Sequence, residues 1–156
     1  MARSAKQAAL GDGASVTLFT IGYSGRTPAT LVSALKSAGV EQVLDVRSVP
    51  RSRKPGFSRE ALRAFVESKG IAYVHLPQLG APRAVLERKK GGATMAEIAP
   101  AYKAHIAKQR AGLREAASLA RRRPSVLLCL EKDASDCHRG ILAARLAREG
   151  FRIEDL

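Results

Sequence analysis

The chain has 156 residues, 46% of them hydrophobic, and its 27 Lys and Arg residues outnumber its 14 Asp and Glu residues, for a net charge of +13. This composition excludes a wholly disordered polymer, and two cysteines are too few for a disulfide-stabilised scaffold. No apolar run is long enough for a signal peptide or a membrane span, so the sequence predicts a cytoplasmic protein without membrane contact.

The chain begins with a segment that differs in composition from the rest. Residues 1–15 are small, polar and unpatterned, which predicts a flexible tail, whereas residues 16–156 are predicted to form one α/β domain. Residues 16–21 form an apolar, β-branched run that predicts a first strand ending at Gly22. Thr27 and Pro28 are typical of the start of a helix, and Gly39 of its end.

The same strand and helix pattern recurs along the remaining chain. Strands are predicted at residues 42–46, 71–75, 126–131 and 151–153, and helices at 58–70, 94–109, 113–122 and 137–149. Residues 76–92 are rich in Gly and Lys and are predicted to lie outside the core. Strands that alternate with helices predict a mostly parallel sheet of about five strands with helices on both faces. The pattern does not give the order of the strands.

In a parallel sheet the carboxyl ends of all strands meet at one edge, where α/β proteins bind ligands. Several polar or reactive residues follow the predicted strands and are therefore expected at this edge. They are Gly22, Tyr23, Ser24, Asp45, Arg47, His75, Cys129, Glu131, Cys137, His138 and Arg139.

An arginine-rich loop follows the second predicted strand. Arg47, Arg51, Arg53 and Lys54 stand among prolines and a glycine, and guanidinium groups bind phosphate or carboxylate in a planar fork. We therefore expect Arg47, Arg51 and Arg139 to bind an anionic group. The alternative is that Asp45 pairs with Arg47 and stabilises the loop.

Cys137 stands at the expected beginning of the last helix, beside His138 and Arg139. Helix-terminal amides and nearby cations favour thiolate over thiol, so Cys137 is a candidate nucleophile. Alternatively, Cys137 packs beneath the helix while His138 and Arg139 contact the ligand. Cys129 lies within an apolar strand and is expected to be a core residue.

Other edge residues have less specific roles. Glu131 and His75 are candidate proton donors or acceptors, and Tyr23 and Ser24 are candidate substrate contacts. A zinc site built from both cysteines, His138 and His75 is chemically conceivable, but the sequence has no C-x-x-C pair and predicts no metal. Neither a dinucleotide-binding nor a P-loop motif is present, so no cofactor is predicted.

Four sequence blocks resemble the uncharacterised family called domain of unknown function 488. They are residues 20–24 (T-I-G-Y-S), 44–53 (L-D-V-R-S-V-P-R-S-R), 73–80 (Y-V-H-L-P-Q-L-G) and 129–139 (C-L-E-K-D-A-S-D-C-H-R). The blocks follow the order found in that family. The resemblance implies a compact α/β domain with a polar site and no assigned reaction.

Together these features predict a small enzyme that acts on a phosphate-bearing or other anionic substrate, for example a nucleotide or a nucleic-acid base. Its site would combine Cys137, His138 and the arginines at the edge of the sheet. The alternative is a noncatalytic module that binds nucleic acid through its basic surface. A redox or metal function would require Cys129 and Cys137 to lie close together.

Overall fold

The computed structural model describes residues 15–156, so the predicted tail lies, except for Ser15, outside the described residues. Its sheet has five strands, which are β1 (Thr17–Gly22), β2 (Gln42–Asp45), β3 (Ala72–His75), β4 (Ser125–Cys129) and β5 (Arg152–Asp155). Their order in the sheet is β3-β2-β4-β1-β5, and every neighbouring pair is parallel. The predicted α/β class with a parallel sheet is confirmed.

Six α-helices accompany the strands. They are α1 (Pro28–Ser37), α2 (Arg59–Ser68), α3 (Arg83–Lys90), α4 (Met95–Lys108), α5 (Arg110–Arg122) and α6 (His138–Ala147). Among residues 15–156, none of these helices has both the length and the apolar character that a membrane crossing requires. Short 3-10 turns at Pro77–Leu79 and Ala134–Asp136 complete the regular structure.

Two hydrophobic layers cover the two faces of the sheet. Helices α1 and α2 bury Leu31 and Leu62 against one face, together with Val126 and Leu128 of β4. Helices α4, α5 and α6 cover the opposite face, where Leu127 lies. Because successive strand residues alternate in direction, Cys129 follows Leu127 onto the α6 side.

The prediction that residues 76–92 lie outside the core is wrong. This segment contains a 3-10 turn and helix α3, and it buries Leu76, Leu79, Ala81 and Val85 against the α4–α6 layer. Helix α3 is only eight residues long, and its outward-facing Lys and Arg side chains make its apolar face hard to recognise in the sequence.

The path of the chain makes the carboxyl end of β4 a crevice. Strands β1 and β2, which flank β4, are followed by helices on one face of the sheet, whereas β4 is followed by α6 on the other face. Open α/β sheets bind ligands where neighbouring connections diverge in this way. The topology therefore favours a site at the end of β4.

Gly22 brings the end of β1 against the segment that follows β4. A Cβ atom at position 22 would lie 1.7 Å from the backbone oxygen of Glu131, so only glycine fits there. Two backbone hydrogen bonds continue the contact, from Tyr23 N–H to the Cys129 oxygen at 3.0 Å and from Ser24 N–H to the Leu130 oxygen at 2.9 Å. The chain leaving β4 is thereby held in place.

Candidate functional site at the end of strand β4

At the end of β2, Asp45, Arg47 and Tyr73 form what we call the Arg47 network. The Arg47 Nε and Nη2 atoms donate to the two carboxylate oxygens of Asp45 at 2.9 and 2.7 Å, and Nη1 donates to the backbone oxygen of Phe57 at 2.6 Å. The Tyr73 hydroxyl also donates to Asp45. Burial alone would lower the pKa of Arg47, but the hydrogen bonds and charge of Asp45 outweigh it and raise the pKa. The geometry favours the structural alternative for this pair.

Arg139 is also committed to internal hydrogen bonds. Its side chain is fully buried, and it donates to the backbone oxygens of Glu131 at 2.6 Å and Lys132 at 3.1 Å, and to the Asp155 carboxylate at 3.3 Å. These contacts fix the segment between β4 and α6. Arg139 therefore acts on the site by positioning this segment, and its guanidinium faces away from solvent.

Cys129, Cys137 and His138 lie together at the end of β4 and form what we call the thiol cluster. Each of these three buried side chains offers one potential ligand atom, and the three atoms all lie within 4.8 Å of one another. His138 Nδ1 lies 3.8 Å from the sulfur of Cys129 and 3.8 Å from that of Cys137. The structure thus brings the two thiols close together, as a redox or metal function would require.

The local backbone explains how Cys137 reaches this position. Cys137 is the extended N-cap residue of α6, directly after the 3-10 turn at Ala134–Asp136. Gly140 allows that turn to pack onto the helix, because a Cβ atom there would lie 2.4 Å from the backbone oxygen of Ala134. The Cys137 sulfur consequently lies near the first, unpaired amides of the helix.

The two thiols of the cluster differ in acidity. The pKa of Cys137 lies well below its usual range, chiefly because Cys129 donates a hydrogen bond to it, and further because of the His138 side chain and the Arg139 backbone N–H. The pKa of Cys129 is raised by the same hydrogen bond and by burial. Cys137 is therefore the more acidic of the two thiols.

Glu131 and Lys89 lie beside the thiol cluster. Glu131 Oε2 is 3.9 Å from the sulfur of Cys129, and Oε1 accepts a hydrogen bond from Lys89 Nζ at 2.6 Å. Lys89 also donates to the backbone oxygen of Asp136 at 2.5 Å, which connects α3 to the segment before α6. No local sequence pattern singles out Lys89, because its partners are more than 40 positions away along the chain.

The side chains of the remaining predicted site residues are not part of the thiol cluster. His75 Nε2 is 2.7 Å from the backbone oxygen of Arg47, and β3 is two strands from β4, which corresponds to about 10 Å. Tyr23 is buried and stacks on Phe57, with ring centroids 4.6 Å apart. Ser24 and Arg51 are exposed.

A groove of about 730 Å³ between α4 and α6 leads to Cys137. Small apolar residues form much of its wall, and Lys103, Arg145 and Arg148 also line it. Tyr102 of α4 is buried, with its ring centroid 5.1 Å from that of His138. Cys137 is one of the residues that line the groove, although only 1% of its surface is exposed.

Comparison with known proteins identifies the family. The model of the family described as "Domain of unknown function DUF488" matches residues 27–146, which is most of the chain, and the chain therefore belongs to the DUF488 family. No curated protein and no solved structure matches the chain.

Proposed function

We propose that this DUF488 protein is an enzyme that acts on an anionic substrate at the end of β4, with Cys137 attacking or directly contacting the substrate. The observation that carries the proposal is the position of Cys137, which lines the groove between α4 and α6 and also belongs to the thiol cluster. Ligand pockets commonly combine a mostly apolar wall with a few convergent polar groups.

An anionic substrate is supported by the cations that line the groove. Lys103 and Arg148 are exposed, while Arg145 pairs with Glu149 at 2.8 Å. Arg47 and Arg139 make internal hydrogen bonds and support the site from beneath. In this proposal the recognition of negative charge falls to Lys103 and Arg148, with the exposed Arg51 as a further contact at the edge of the sheet.

The neighbours of Cys137 have distinct roles in the proposal. His138, whose Nδ1 is 3.8 Å from the Cys137 sulfur, is the group that exchanges protons with the thiol. The Glu131 carboxylate lies close enough to the Cys129 sulfur to accept its proton. His75 is a less favoured proton donor or acceptor because it contacts the backbone of Arg47 and not the cluster.

Alkylation of the intact, metal-free protein tests both parts of the proposal. Iodoacetate and neutral iodoacetamide react alike, since the thiolate sulfur forms a bond to carbon and iodide leaves. We expect Cys137 to react in the folded protein and to favour iodoacetate more strongly than a small free thiol does. The double variant Lys103→Ser and Arg148→Ser should lower that preference, whereas Lys36→Ser, on α1, should not.

Two results would contradict the proposal. One is a Cys137 sulfur that reacts only after unfolding, as shown by peptide mass spectrometry. The other is a preference for iodoacetate that is no greater than that of a small thiol, because the groove would then not select for negative charge.

A second candidate function, noncatalytic nucleic-acid binding, is favoured by the exposed basic side chains. Arg51 and Arg53 are exposed in the loop after β2, as are Arg121, Arg122 and Arg123 before β4. Binding of this kind weakens with salt, and log K falls by about 0.9 per phosphate contacted on duplex DNA for each tenfold increase in salt. Fluorescence anisotropy over a salt series measures this slope, and a lack of binding at low salt would exclude the candidate.

A further inference from the structure

We propose that the thiol cluster binds a zinc ion through the sulfurs of Cys129 and Cys137 and the Nδ1 atom of His138. This inference goes beyond the proposed enzymatic function and does not depend on it. It differs from the expectation, drawn from the missing C-x-x-C pair, that the chain holds no metal. The two cysteines are eight positions apart in sequence, and the fold brings them together.

The spacing of the three ligand atoms is close to that of the ligands of a tetrahedral zinc ion. Bond lengths of about 2.3 Å to sulfur and about 2.1 Å to nitrogen place two ligands of one zinc ion roughly 3.6 to 3.8 Å apart. In the structure, His138 Nδ1 lies 3.8 Å from each sulfur, and the three atoms all lie within 4.8 Å of one another. A zinc ion at their centre requires only small side-chain movements.

The hydrogen bonding of His138 leaves the correct nitrogen available. Its Nε2 atom lies 3.3 Å from the backbone oxygen of Val46, to which it can donate a proton. A histidine that ligates a metal typically donates its other N–H to a carbonyl or carboxylate, which fixes the tautomer and the direction of the lone pair. Nδ1 is then the nitrogen that remains to bind zinc, and because the Cys129 sulfur lies 3.8 Å from both ring nitrogens, zinc binding requires the imidazole ring to turn toward the two sulfurs.

The ligand types select the class of ion. Thiolate and imidazole ligands favour zinc over magnesium or calcium, which prefer oxygen. Two buried thiolates are costly without a neutralising cation, and a zinc ion supplies both charge and bonds. Three protein ligands leave a fourth position, as in zinc sites that bind water or a substrate.

The inference concerns the same sulfur as the proposed function and yet can be separated from it. A Cys137 sulfur bound to zinc is not free to be alkylated, so zinc should slow the reaction of Cys137 with iodoacetate. If zinc binds and Cys137 of the metal-free protein is unreactive, the proposed function fails alone. If Cys137 reacts and zinc does not bind, the present inference fails alone.

Zinc titration of the reduced, metal-stripped full chain in competition with a chromophoric chelator tests the inference. We expect one zinc ion per chain. The substitutions Cys129→Ser, Cys137→Ser and His138→Gln should each weaken binding by more than about 100-fold, the upper end of the effect of losing a supporting residue. His105→Gln is the matched control, because this histidine contacts the backbone of Gln78 and should leave affinity unchanged.

Spectroscopy of the unsubstituted protein decides the matter if a variant does not fold. Cobalt(II) bound in place of zinc should give sulfur-to-cobalt charge-transfer bands and the intense visible bands of a tetrahedral site. Absence of stoichiometric zinc binding, or cobalt bands that lack thiolate character, would overturn the inference. Folded Cys129→Ser and Cys137→Ser variants that bind zinc as tightly as the unsubstituted protein would also overturn it.

Discussion

Strands β2 and β4 are hydrogen-bonded neighbours, yet the polar side chains at their carboxyl ends behave in opposite ways. In the Arg47 network, every guanidinium nitrogen of Arg47 has an acceptor within 2.9 Å. In the thiol cluster, the contacts between sulfur and His138 are 3.8 Å long, which is longer than ordinary hydrogen bonds. Both groups are buried, but only the thiol cluster has sulfur and nitrogen atoms that could still bond to a ligand or a metal ion.

This difference shows that position at the ligand-binding edge does not by itself identify a functional residue. Hydrogen-bonded charges that satisfy one another stabilise the loop that carries them, and a ligand would have to break those bonds to reach them. Weakly paired thiols and an imidazole that converge on one point have no comparable structural purpose. Four substitutions, in order of decreasing expected effect on the free energy of unfolding, test this division.

The substitution Arg47→Met should have the largest effect. It removes the partner of the fully buried Asp45 carboxylate, and loss of one member of a buried ion pair costs about 3 to 5 kcal/mol. Urea unfolding followed by circular dichroism measures the change. Arg63→Met, which breaks an exposed pair with Glu60, is the control and should cost about 0.5 kcal/mol or less. Equal costs for the two variants would show that the Arg47 network is not structural.

Tyr73→Phe removes one hydrogen bond to Asp45 and should cost about 1.5 to 3 kcal/mol, because the acceptor is charged. Tyr102→Phe provides a comparison, because the Tyr102 hydroxyl donates to the neutral backbone oxygen of Leu79. Its removal should cost about 0.5 to 1.5 kcal/mol. The same urea experiments measure both values. A smaller cost for Tyr73 than for Tyr102 would contradict the assignment of charge to Asp45.

Gly22→Ala should lower both the free energy of unfolding and the zinc affinity, because it disturbs the position of the thiol cluster as well as stability. The added methyl group would overlap the Glu131 backbone, and overpacking of this kind costs about 1 to 3 kcal/mol. Zinc affinity should fall as well, since the segment after β4 must move. Gly91→Ala, where the nearest atom is 3.4 Å away, is the control and should change neither quantity. Unchanged zinc affinity in a folded Gly22→Ala variant would show that this contact does not position the cluster.

Cys137→Ser should have the smallest effect on stability. In the metal-free protein we expect a loss of about 1 kcal/mol, the usual cost of a single substitution, because the serine oxygen can accept the hydrogen bonds that the sulfur accepts. Alkylation at position 137 should disappear, and zinc binding should weaken. A loss in the range expected for Arg47→Met would instead assign Cys137 to the structural framework.

Much of the fold could be predicted from local patterns, and the exceptions have physical reasons. Thr27 and Pro28 correctly indicated the start of α1, where Thr27 and Thr30 cap the helix reciprocally. Helix α3 was missed because eight residues give only two turns of periodicity, largely hidden by Lys and Arg. The expectation that Cys129 is buried is confirmed, but its contact with His138 could not be derived from the apolar strand around it.

The sequence by itself determined the strands, most of the helices and the convergence of strand ends at one edge, because periodicity and capping residues act over short distances along the chain. It also named Cys129, Cys137 and His138, the three residues that meet at the end of β4. Only the tertiary structure decided the strand order, the internal pairing of Arg47 and Arg139, and the meeting of Cys129 with Cys137 and His138. Such choices depend on differences of about an ångström between groups far apart in sequence, since hydrogen bonds and metal bonds form only within narrow ranges of distance.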